Sequence, residues 1–145
     1  MTTLGNTGFQ DLARRVLTSA DGSRADSSVL AAAARSAHTS LGHVLIPLIG
    51  QAGTNALTTR ALHLARREHP WLTPTRNLDQ TDMAFELAAA SLERQDPGAA
   101  LEAAVAVLAT LAGLLVTFIG NSLTTALLRK AWPDGFSDAT EEGRA

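Results

Sequence analysis

Apolar positions recur along this chain at helical intervals, and no segment alternates apolar and polar with period two over a useful length. Phe9, Leu12, Ala13 and Val16 mark a first helix after Thr7, with Arg14 and Arg15 off its apolar face. The stretch ADGSRAD at 20–26 breaks it, and Asp26 or Ser27 is placed to cap a second helix. There Leu30, Ala34, Ala37, Leu41, Val44 and Leu48 form a coiled-coil-like seam, small residues early and large ones late. Pro47 lacks an amide hydrogen and Gly50 and Gly53 follow, so a kink or stop is predicted between Val44 and Gly50. The pattern resumes at Asn55 and stops at Pro70. Residues 71–80 read as a loop, and a further helix covers about 81–94. Asp96–Pro97 is a cap and first-turn pair opening a last helical stretch, bent at Gly120–Asn121 and ended by Pro133. The expected fold is all-α, about five helices in a bundle.

The chain also repeats itself. Residues 26–50 lie on 96–120 without a gap, with identities at Asp26/Asp96, Ala33/Ala103, Ala34/Ala104, Leu41/Leu111, Leu45/Leu115, Ile49/Ile119 and Gly50/Gly120. Asn55–Leu62 then lies on Asn121–Leu128, sharing Asn, Leu, Thr, Thr and the final Leu. The first copy holds four extra residues, 51–54, about one helical turn. Phe9 and Phe85 each open the short helix upstream. The expectation is one domain, 1–132, made of tandem half-repeats over about 7–69 and 80–132 with a pseudo-twofold relation, followed by an acidic, mobile tail at 133–145. In both copies the Asn is expected to cap the helix that restarts after a bend, with the two Thr bonding nearby backbone.

Composition narrows the function classes. Lys plus Arg number 12 against 14 Asp plus Glu, so no bulk attraction to nucleic acid or anionic membrane is expected. There is no cysteine, which excludes disulfides, thiolate metal sites and cysteine catalysis. The absence of tyrosine, with four Phe and two Trp, leaves too few rings for a single-strand stacking platform. The N-terminal stretch has no basic segment leading into an apolar run, so a cytoplasmic location is the expectation.

Residues 103–128 carry no charge over 26 positions, long enough for a membrane span. The run contains Thr110, Thr117, Asn121, Ser122, Thr124 and Thr125 and much alanine, and its repeat partner carries Arg35, His38 and His43. A buried central helix is the reading, with a small membrane protein as the alternative. His38, His43, His63 and His69 are not at helical metal-pair spacing and no carboxylate stands beside them at ligand spacing, so no metal is expected. No Gly-rich phosphate loop, nucleophile elbow or carboxylate cluster stands out; neither catalytic residues nor a cofactor site are expected.

SAHTSLG at 36–42 resembles the phosphoacceptor segment of histidine phosphotransfer domains, matching at His38, Leu41 and Gly42. The lysine of that pattern is missing and the spacing differs by one residue. The resemblance implies a signalling bundle with His38 as phosphoacceptor. Against it stands the repeat, in which His38 falls opposite Leu108 on the packing seam. A histidine there should be partly buried, neutral at pH 7 and hydrogen-bonded to a carbonyl or hydroxyl. Arg60, His63 and Arg67, with Arg66 beside them, form a candidate basic patch, though such a stripe is also what a solvated helix face looks like.

The last helix is apolar all round, so it must be covered all round. This predicts a non-enzymatic interaction or regulatory domain associating through apolar helix faces with a protein partner or with itself as a homodimer. Leu111, Leu114, Phe118, Leu128 and Trp132 are the candidate interface.

Overall fold

The computed structural model describes residues 6–19, 26–72 and 81–133. The chain is all-α: α1 (Asn6–Ser19), α2 (Ser27–Ala65), α3 (Thr81–Glu93), α4 (Pro97–Ile119) and α5 (Asn121–Ala131), with no strand among the described residues. Most of the expected loop at 71–80 and all of the expected tail beyond Pro133 lie outside the described residues.

The two long helices begin and end alike. Asp26 and Asp96 stand in extended backbone, and each carboxylate accepts from the amide three residues on, Val29 at 3.2 Å and Ala99 at 3.3 Å. Each satisfies one of the otherwise unpaired amides of a first turn. At the far ends Gly50 takes φ 87, ψ 165 and Gly120 takes φ 91, ψ 162. That region is open essentially to glycine alone, so each bend is written into the residue type.

The break falls at Gly50, inside the predicted stretch from Val44 to Gly50; the helix runs through Pro47 itself and breaks three residues later. Pro47 is exposed, so the carbonyl it leaves unpaired has room to tilt towards water, whereas reversal of φ needs glycine. The expected asparagine caps are not formed. Asn55 lies one turn inside the restarted helix, where its Oδ1 accepts from Gln51 at 3.0 Å. Asn121 is the first residue of α5, whose N-cap is Gly120, without a side-chain cap.

The Ser27 hydroxyl donates to the Gln95 carbonyl, tying the start of α2 to the start of α4. Ile49 and Ile119, at the other ends, line one groove. Residues 27–49 and α4 therefore run side by side in the same direction. Along both, small buried residues near the caps (Ala31, Ala34, Ala37; Ala100, Ala103, Ala104) give way to leucines near the bends (Leu41, Leu45; Leu108, Leu111, Leu115). Each fully buried leucine contributes roughly 1.5–3 kcal/mol. The short helices pack crosswise: α1 mainly on α4, and α3 mainly on α2.

Candidate functional site

A polar cleft of about 450 Å³ is lined by Arg35, His38, Thr39, Gln51 and Asn55 of α2 and by Phe85 and Glu86 of α3. His38 reaches it from the seam because α3 lies across α2. Its ring stacks on Phe85 with centroids 4.1 Å apart and planes 5° from parallel. Its Nε2 is 2.8 Å from the Thr58 hydroxyl, on the far side of the Gly50 bend.

Thr58 fixes the state of the ring. Its hydroxyl donates to the Thr54 carbonyl at 3.1 Å, the usual helical back-bond. The hydroxyl oxygen then accepts, so the proton sits on Nε2 and Nδ1 keeps a lone pair. Burial pushes the imidazole pKa below its ordinary value, while the Glu86 carboxylate pulls weakly the other way. The half-buried ring is thus neutral at pH 7 with a hydroxyl partner, the state that its place opposite Leu108 predicts. As a phosphoacceptor it is poorly presented: one face is covered by Phe85 and Nε2 is engaged.

Arg35 bridges α2 to α3. Its Nε meets Glu86 Oε1 and its Nη1 meets Glu93 Oε2, each at 3.1 Å. These hydrogen bonds hold the guanidinium more firmly charged than usual. The pairs are largely solvated and contribute up to about 1 kcal/mol each. Their consequence is charge: two carboxylates surround one cation.

The second feature is an almost wholly apolar groove of about 560 Å³ where the two bends meet. Ile49, Gly53, Ala56 and Leu57 line it from α2, and Leu114, Leu115, Phe118 and Ile119 from α4, with Arg60 the single charged residue. Phe118 is 68% exposed, and Leu48 and Leu123, beside the same bends, are 49% and 42% exposed.

The five candidate interface residues are divided by the fold. Leu111, Leu128 and Trp132 are buried within the chain itself, and the Trp132 indole donates to the Ala37 carbonyl at 2.9 Å. Leu114 is half-buried and Phe118 exposed. The chain's own helices cover most of the girdle of α4; Leu101, Ala106 and Leu114 stay half-buried, and its last turn holds the exposed Phe118. Sequence reasoning missed Ile49, Gly53, Ala56 and Leu57, because a helix face does not say which neighbour leaves it bare.

Arg60, His63 and Arg67 are exposed and Arg66 is half-buried, with Arg67 in the turn after α2. The uncharged run 103–128 is not one helix, since Gly120 interrupts it. Among the described residues α4 alone is long and apolar enough to cross a membrane, and 56% of its most apolar window is buried in the fold. Among the described residues no group of three His, Cys, Asp or Glu converges on a metal-sized space. No family model matches the chain, and neither any curated protein nor any solved structure matches it.

Proposed function

We propose that this chain is a non-enzymatic, cytoplasmic interaction module: a single bundle of two fused half-repeats that pairs with a second copy through its bent end. The observation that carries the reading is Phe118, a large ring left in water beside an apolar groove. An isologous dimer needs a knob and a hole on one patch, and this patch holds both. Phe118 of one copy filling the groove of the other would also shield Leu48 and Leu123. Arg60 is placed to set partner orientation at the edge. The half-repeat relation is supported by the matched aspartate caps, the matched glycine torsions and the crosswise packing of α1 and α3. It makes the module equivalent to a small symmetric dimer joined into one chain.

Sedimentation equilibrium of the detergent-free protein tests this. Twice the chain mass is expected, and Phe118→Glu should give a folded monomer, since Phe118 is exposed in the single chain. Wild-type protein that stays monomeric at high micromolar concentration, or enters solution only with detergent, overturns the reading.

A further inference from the structure

We infer that the His38 cleft is a binding site for a small organic cation bearing N–H donors, such as a guanidinium or a primary ammonium compound. The inference rests on the half-repeat correspondence for one step: what the fold needs at this place. The places equivalent to Arg35, His38, Thr39 and Glu86 hold Val105, Leu108, Ala109 and Gln10. Leu108 and Ala109 are buried, and Val105 is too. The counterpart around α4, a cleft of about 340 Å³, therefore has apolar or neutral side chains at these four places, with Glu68 elsewhere in its lining. The place around α2 carries a histidine and an arginine from α2 and a carboxylate from α3, where the architecture does not require them. Half-burying an imidazole and holding its tautomer through Thr58 costs stability that leucine would not.

The chemistry of the cleft selects the ligand. Arg35 is already paired to Glu86 and Glu93, so the cluster carries one net negative charge. His38 Nδ1 is an acceptor without a hydrogen bond among the described residues. Thr39 and the Gln51 carbonyl add acceptors in the same lining. An anion would meet the Glu86 carboxylate and a lone pair, and the one cation of the lining, Arg35, is already held by Glu86 and Glu93. A cation with several N–H groups would meet acceptors, with Glu86 for its charge. The volume, about 450 Å³, suits a molecule of metabolite size.

Agmatine, with a guanidinium at one end and an ammonium at the other, is a suitable probe. In a titration of the full chain, followed by the ring nitrogen and carbon resonances of His38, saturable shifts are expected with agmatine and none with acetate. Loss of a charge-assisted hydrogen bond in Glu86→Gln should weaken binding by about tenfold or more. His38→Leu should stay folded and lose calorimetrically detected binding. The inference is overturned if agmatine leaves His38 unshifted, if Glu86→Gln binds it equally well, or if acetate gives the same shifts. Should His38→Leu unfold, the half-repeat correspondence fails instead, and Glu86→Gln still decides whether the cleft binds a cation.

Discussion

Twelve residues after its capping aspartate, α2 carries His38; twelve residues after the matching aspartate, α4 carries Leu108. The consequences reach across both bends. Thr58 pairs with His38. Its counterpart Thr124 is fully buried, and its hydroxyl has no partner among the described residues. On the proposed half-repeat relation, one half has a histidine with its threonine, and the other has the threonine and a buried leucine. The place around α2 is a cleft of about 450 Å³ with an imidazole in its lining; the place around α4 is a cleft of about 340 Å³ lined by Gln10 and Ala109, and Leu108 is fully buried.

The strongest way to break this comparison is Leu108→His. It removes a fully buried leucine and inserts an imidazole, at a cost of about 2–4 kcal/mol, a large part of the stability of a domain this size. If Thr124 faces position 108 as Thr58 faces His38, the new ring finds a partner. Combining Leu108→His with Thr124→Val should then be worse than the sum of the two, by about 0.5–1.5 kcal/mol in urea unfolding. Strict additivity would show that the two places do not correspond.

The matched bends give a second test. A Cβ added at Gly50 or Gly120 would meet nothing within 4 Å, so alanine at either place costs torsional strain alone. Gly50→Ala and Gly120→Ala should each destabilise by about 1–3 kcal/mol, and by similar amounts. A large difference would mean that one bend is held by its surroundings and the other by its glycine.

What could be read beforehand and what could not divide on physical grounds. Caps and bends depend on one residue and its own backbone, so Asp26, Asp96 and Gly120 were legible. The bend before residue 51 was legible as a stretch, but not that Gly50 rather than Pro47 makes it, because a proline's effect depends on which face it lies on, whereas a positive φ does not. That His38 would be half-buried followed from the alignment with Leu108. That Phe85 and Thr58 would hold it did not, because α3 crosses onto α2 and Thr58 lies beyond a bend. Leu111, Leu128 and Trp132 show the limit of helical periodicity: it marks a face as apolar without saying whether the chain's own helices cover it.

Smaller effects of opposite sign are expected at the paired threonines. Thr58→Val takes the acceptor from His38 Nε2–H and should cost about 1–3 kcal/mol. Thr124→Val replaces a stranded hydroxyl by a methyl group of the same shape and should be neutral or stabilising by up to about 1 kcal/mol. Thermal unfolding of the two variants side by side checks this. Equal losses would mean that Thr124 has a partner after all, and the two halves would differ less than proposed.

The smallest effect is the dependence of stability on pH that His38 alone imposes. Burial among Phe85 and the seam disfavours the imidazolium, so the folded-state pKa lies below the ordinary 6.5; Glu86 opposes this more weakly. Above that ordinary value the ring is neutral in both folded and unfolded chains and contributes no slope. As pH falls below it, the unfolded chain takes up a proton that the folded chain refuses. Stability therefore drops until the pH passes the folded pKa, below which both states are charged and the loss is complete. His38→Leu removes this contribution and leaves His43, His63 and His69 in place. The melting temperature should accordingly fall less between about pH 7.5 and pH 5 in His38→Leu than in the wild type. At the upper pH the two should melt close together, because leucine already fills the equivalent place in α4. Parallel losses on acidification would mean that the folded protein charges its ring as readily as the unfolded chain, leaving the contrast between His38 and Leu108 one of shape rather than of buried polarity.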